Sequence, residues 1–196
     1  EAWTTNPNGM ADTVNFNDTS TVVVSPGLAG TYTIGGATPD YPTFAAALAD
    51  LHTFGVCDSV TFNVRNGTYN EQLEFLSVAG AGANSPIVFQ SESGDSTQVI
   101  LSFFNNSSST NYTLLLNGVD WLTLRGMTLE ASGTSFSRVI SMIGGVNDLS
   151  LENNVIRSSS TTSTSTNRSL VYFTTNTDNE FLHVSHKVFQ NGSGGL

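Results

Sequence analysis

Asp120, Asn147 and Glu180 each stand two residues before an apolar pair, Leu122/Leu124, Leu149/Leu151 and Leu182/Val184, and Asp148 follows Asn147 directly. Carboxylates stacked in one column by a repeating fold can hold Ca²⁺ through their oxygens. Set about 5 to 9 Å apart, two of them can cleave a glycosidic bond. Trp121, next to Asp120, offers a flat apolar face on which a sugar ring can stack, as does Trp3. The competing reading is local: Asp and Asn are favoured at turns because their side chains bond nearby backbone groups. Asp120, Asp148, Glu180 and Trp121 are therefore either a metal- or glycan-binding set or a row of turn formers.

Other chemistries find less support. His183 and His186 are three apart, which on a strand directs them to opposite faces and argues against a metal pair. Cys57 is the only cysteine, which excludes an intrachain disulfide and a Cys-type zinc site, and it reads as a small buried apolar residue. The chain contains no serine in a GxSxG elbow and no glycine-rich phosphate loop after a strand. No catalytic residue is assigned, and Ca²⁺ is the one cofactor for which ligands are in view. Seven N-x-S/T sequons begin at Asn17, Asn66, Asn105, Asn106, Asn111, Asn167 and Asn191. They are candidate glycan attachment points, though a chain this rich in Asn, Ser and Thr generates many by composition.

Sixteen acidic residues face six basic ones, a formal net charge of −10, so phosphate backbones and anionic membranes are repelled and nucleic acid is excluded as a partner. Charged residues make up only 11% of the chain, so solubility rests on Ser, Thr, Asn and Gly, a balance common in secreted β-rich proteins. No run approaches the roughly 18 apolar residues of a membrane span. The chain opens at Glu1 without a charged and apolar leader, as a secreted protein in its mature form would.

The elements that must position these residues repeat. Leu114 to Leu129 aligns without a gap on Ser141 to Ile156, an offset of 27 that places Leu116 on Ile143, Gly118 on Gly145 and Leu122/Leu124 on Leu149/Leu151. The same offset taken backwards carries Leu114 and Leu116 onto Ile87 and Phe89, and then onto Val60 and Phe62. A fifth coil follows at Leu182 and Val184, displaced by 33, with the extra residues expected to bulge out in the polar run Ser158 to Thr166. Apolar and polar residues alternate within each short run, as strands with one inward face require. Parallel stacking of such coils makes a solenoid of about five turns. In a parallel stack, residues one period apart are neighbours. Three of the six basic residues meet an acid at 27: Arg65 with Glu92, Arg125 with Glu152, and Arg157 with Glu130.

The segment 41–54 (YPTFAAALADLHTF) carries Phe44, Ala47, Leu48, Leu51 and Phe54 at helical spacing before Gly55, and is expected to form a helix capping the apolar end of the solenoid. Residues 1–30 are expected to form an extended arm, divided from a β-helix domain at 31–196. The arm's strand-like run is Thr21, Val22, Val23, Val24 and Ser25, which can pair with a sheet edge of its own subunit or of the next. After Phe189 the chain runs out through NGSGGL with nothing to cover the last coil. Either the protein continues or a second copy stacks there.

Residues 30–71, from GTYTIGGATPDYPTF to NGTYNE, resemble the opening of the pectate-lyase-like superfamily of right-handed parallel β-helices, and most of all the repeat-bearing surface proteins secreted by gliding-type Gram-negative bacteria. The likeness runs from about Gly30 to the C-terminus. It implies an all-β, right-handed parallel β-helix at the cell surface or outside the cell. The GTYNE turn is shared with pectin methylesterases, so it points to fold rather than activity, and the glutamine and aspartate pattern of those esterases is not matched beyond it. Asp12-Thr13-Val14 and Asp58-Ser59-Val60 resemble the bacterial O-glycosylation pattern of that surface group, which makes Thr13 and Ser59 candidates for modification. The function expected is non-catalytic, structural or adhesive, with a head-to-tail homopolymer, other surface components or glycans as partners. The alternative is a β-helix that binds or degrades polysaccharide.

Overall fold

A computed structural model describes residues 2–3, 19–20, 26–174, 180–186 and 188–192. Near the start, β1 (Ala2–Trp3) pairs antiparallel with β2 (Thr19–Ser20). The solenoid begins at β3 (Leu28–Ile34), inside the span assigned from sequence to the arm, and α1 (Phe44–Phe54) follows. Each coil then supplies three strands. The first has β4 (Val56–Val64), β5 (Gly67–Asn70) and β6 (Leu73–Leu76), and the second β7 (Ile87–Ser91), β8 (Val99–Phe103) and β9 (Leu114–Asn117). The third has β10 (Leu122–Arg125), β11 (Thr128–Ala131) and β12 (Ile140–Ile143), and the fourth β13 (Ser150–Glu152), β14 (Val155–Ser158) and β15 (Val171–Phe173). The next coil is entered by β16 (His183–Ser185) and β17 (Val188–Gln190).

Equivalent strands stack into three parallel sheets: β3-β4-β7-β10-β13-β16, β5-β8-β11-β14-β17 and β6-β9-β12-β15. The chain is a right-handed parallel β-helix of about five turns, with one α-helix among the described residues, as expected. Inward side chains form continuous ladders. Tyr32, Phe62, Phe89, Leu124, Leu151 and Val184 follow one another through the first sheet. The Phe62 and Phe89 rings stack at 4.4 Å, and Phe75 meets Phe89 edge-on at 5.3 Å. The N-terminal half of the core is thus aromatic, and the following coils are filled by aliphatic side chains.

The period is less regular than the sequence suggests. In the first sheet the offset is 27 from Phe62 to Phe89, 35 from Phe89 to Leu124, 27 from Leu124 to Leu151 and 33 from Leu151 to Val184. Ile87 therefore pairs with Leu122, while Leu114 belongs to the third sheet, between Leu73 and Ile140. The cause is the length of the second coil's connections, from β7 to β8 as well as from β8 to β9, which a gapless alignment skips. A smaller slip places Leu116 on Met142, with the Gly118 N–H donating to the Ile143 carbonyl at 3.0 Å. The polar run after Ser158 does take up extra residues: the offset grows from 27 at Glu130/Arg157 to 31 at Ile140/Val171.

The capping helix is shorter than the segment 41–54. Tyr41 bridges to Ile34, and Thr43 is the N-cap, its Oγ1 accepting from the Ala46 N–H at 3.1 Å. Phe44, Ala47, Leu48 and Leu51 are buried against the first coil, each large one worth about 1.5–3 kcal/mol of removal from water. Phe54, expected on the same face, is exposed. A second cap comes from far along the chain. The Glu71 carboxylate of the GTYNE turn accepts from the N–H groups of Phe44 (3.2 Å) and Ala45 (2.8 Å), placing negative charge on the helix N-terminus.

Candidate functional site

Asp120, Asn147 and Glu180 follow one another from coil to coil, and two of their side chains tie the coils together. Asp120 Oδ1 accepts from the Asn147 N–H at 2.8 Å, and Asn147 Oδ1 accepts from the Glu180 N–H at 2.9 Å. Trp121, Asp148 and Phe181 occupy the next position of the same corner, all with positive φ (57°, 51° and 54°). Asp tolerates that conformation, whereas for Trp and Phe it is a departure imposed by the corner. Trp121 is half-buried. Asp120 and Asn147 thus bond not to nearby backbone, as turn formers would, but to N–H groups of the next coil, 27 and 33 residues along the chain. His183 lies on β16 and His186 in the turn after it, and no group of three or more His, Cys, Asp or Glu able to hold a metal occurs among the described residues.

The corner from the first to the second sheet uses the same device. Gly126, Asn153 and His186 all have positive φ there. Asn154, 1% exposed, donates from Nδ2 to the Leu124 carbonyl at 2.8 Å and accepts from the Met127 N–H at 3.0 Å. The three ion pairs read from the offset are all formed: Arg65–Glu92 at 3.7 Å, Arg125–Glu152 at 2.7 Å and Arg157–Glu130 at 2.5 Å. Partial burial raises the Glu152 carboxyl, but bonds from Ser150 and Arg125 outweigh it and hold the pKa below the usual value.

Of the modification candidates, Ser59, Asn66, Asn106 and Asn191 are exposed and Asn167 is half-buried. Asn105 and Asn111 are 2% and 3% exposed, and their amides donate to the carbonyls of Arg138 and Asn167. Neither can carry a glycan in the folded chain. Thr13, Asn17 and the arm run Thr21 to Ser25 lie outside the described residues. Cys57, expected to be buried, is exposed, and its thiol donates to the Gly27 carbonyl at 3.1 Å. It falls in the irregular start of β4, where the ladder shifts register between Leu28 and Gly30 and the alternation no longer sets the inward face.

One concavity was not legible in the acid pattern. Over the outer face of the third sheet, a groove of about 190 Å³ is lined by Tyr112, Leu115, Arg138, Ser141, Ile143 and Tyr172, among others. Leu115, Ser141 and Tyr172 are register neighbours on β9, β12 and β15, and the β8–β9 connection brings Tyr112 over them. The Arg138 guanidinium lies 3.6 Å from the centre of the Tyr172 ring and donates to the Thr166 carbonyl at 2.8 Å. Burial, helped by the charge of Glu74, pushes the Tyr112 phenol up, so it remains a neutral hydroxyl. Ser141 is 5% exposed, and its Oγ has no hydrogen-bond partner. The sequence clue is Leu114-Leu115-Leu116, where Leu115 breaks the alternation and turns an apolar side chain outward.

These features define the class: a parallel β-helix whose corners are closed by polar ladders and whose third sheet carries an amphipathic groove. No family model matches the chain, nor does any curated protein sequence. Among solved structures it is similar to pectin methylesterase from Aspergillus niger in deglycosylated form, at 14% identity and a TM-score of 0.44 over 85% of this chain and 78% of that one. The same enzyme in penultimately deglycosylated form gives 14% and 0.38 over 85% and 77%. Likeness at this distance says nothing about activity. No helix among the described residues is long and apolar enough to cross a membrane.

Proposed function

We propose that the chain is a non-catalytic extracellular structural or adhesive protein, a β-helix that holds its outer faces on display. The supporting observation is the use made of the polar column: Asp120 and Asn147 accept backbone N–H groups of the next coil instead of opening toward a substrate. Three of the arginines are likewise engaged in ion pairs between coils. Assembly is head to tail. One end of the solenoid is covered by α1, while at the other Phe173, in register with the buried Met142, Leu116 and Phe75, is exposed on the last described strand of the third sheet. A second copy, or more of the same chain, would stack on that rung.

Negative-stain electron microscopy and light scattering across a concentration series test this reading. Rods that lengthen with concentration are expected, and a Phe173→Glu substitution is expected to shorten them. Monodisperse particles of one chain at every concentration would remove the polymer. Release of reducing ends or methanol from a plant or bacterial polysaccharide would remove the non-catalytic reading.

A further inference from the structure

We infer that the groove over the third sheet is a binding site for a single uncharged sugar ring bearing an N-acetyl group. Size comes first. At about 190 Å³ the groove falls below the roughly 300–1,000 Å³ of sites for drug-sized ligands, so it suits one ring rather than a length of polymer. Its walls are amphipathic in the way a sugar is. Tyr112 supplies a flat apolar face with a hydroxyl edge, and Leu115 and Ile143 supply an aliphatic floor.

The polar groups select the substituent. Ser141 sits between Leu115 and Tyr172 in register, hidden from bulk water with its hydroxyl unpartnered. A buried hydroxyl without a partner costs about 1–3 kcal/mol, so its retention there calls for a ligand atom to bond. A Ser hydroxyl both donates and accepts. An acetamide brings a carbonyl, an N–H and a methyl in one group, and so answers one hydroxyl set among aliphatic side chains.

Charge argues against acidic sugars. Arg138 already donates to Thr166 and Asn167 and covers the Tyr172 ring, and the net charge of −10 repels polyuronates. Among the described residues no carboxylate lines the groove, and the inference is to binding rather than hydrolysis. The inference is independent of assembly: a monomer would retain the groove.

Saturation-transfer and chemical-shift titration of the whole chain, with N-acetylglucosamine, N-acetylgalactosamine, glucose and galacturonate as probes, tests it. Saturable binding of an N-acetyl sugar is expected, with the strongest transfer at its acetyl methyl and little response to the other two. Ser141→Ala is expected to weaken binding about fivefold without lowering the thermal midpoint, because the hydroxyl bonds to nothing in the protein. Tyr112→Ala, whose ring stands on a connection rather than in the core, is expected to abolish it. Equal response to glucose or galacturonate, no saturation by any probe, or undiminished binding in Ser141→Ala with a lowered midpoint would each overturn the proposal.

Discussion

Asn154 is the residue on which a corner turns. Its side chain satisfies one buried carbonyl and one buried N–H from the coil below. Asn154→Ala leaves both without partners, at about 1–3 kcal/mol each. A loss of about 2–4 kcal/mol is expected in urea denaturation, and a loss below 0.5 kcal/mol would show that water replaces the amide at no cost. His52 works by protonation. Its Nε2 accepts from the Leu76 N–H at 3.2 Å, which only the neutral ring can do, and burial lowers its pKa below the usual 6.5 despite the nearby Glu74. The unfolded chain therefore binds the proton more tightly. The contribution of His52 is fully present above pH 6.5 and is lost as pH falls through the depressed folded value. A thermal midpoint that declines over this window, and a shallower decline in His52→Gln, are the expected readings.

At the scale of the element, α1 depends on a residue that is not its own. Glu71 lies in the first coil and caps the helix with two charge-assisted bonds, beside the local cap of Thr43. Glu71→Ala is expected to cost about 1–2 kcal/mol and to speed amide exchange at Phe44 and Ala45, with Glu71→Gln intermediate. If exchange at those two amides is unchanged, the carboxylate is not their partner in solution. Strand assignment shows a different dependence. The apolar pairs of β7 and β9 look alike in sequence, so the gapless alignment joined strands that belong to different sheets. The lengths of the β7–β8 and β8–β9 connections separate them, and turn residues do not encode those lengths in a readable way.

For the whole molecule the decisive question is whether apolar or polar stacking holds the coils together. Phe89 is fully buried and touches the rings of Phe44, Phe62 and Phe75. The ion pairs are partly exposed, with 44% and 25% of the Arg125 and Glu152 side chains accessible. Phe89→Ala is expected to cost about 3–5 kcal/mol, against less than about 1 kcal/mol for Arg125→Gln. Stability should change little at about 1 M salt, where exposed charges are screened beyond roughly 3 Å. A steep loss in salt would show that the ion pairs, and not the apolar ladders, carry the stack.

What could be read from the chain alone was whatever depends on neighbours in sequence or on a constant repeat. The inward positions followed from alternation, the helix from its spacing and from Gly55, and the three ion pairs from the offset of 27. Each is a local property that stacking merely multiplies. Tertiary structure alone decided which sheet Leu114 joins, that Asn105 and Asn111 are buried, and that Glu71 caps a helix some 26 residues upstream. It also decided the groove. Tyr112, Ser141 and Tyr172 are spaced by no period of their own, and they meet because three coils stack at strand separation and the β8–β9 connection folds back over them.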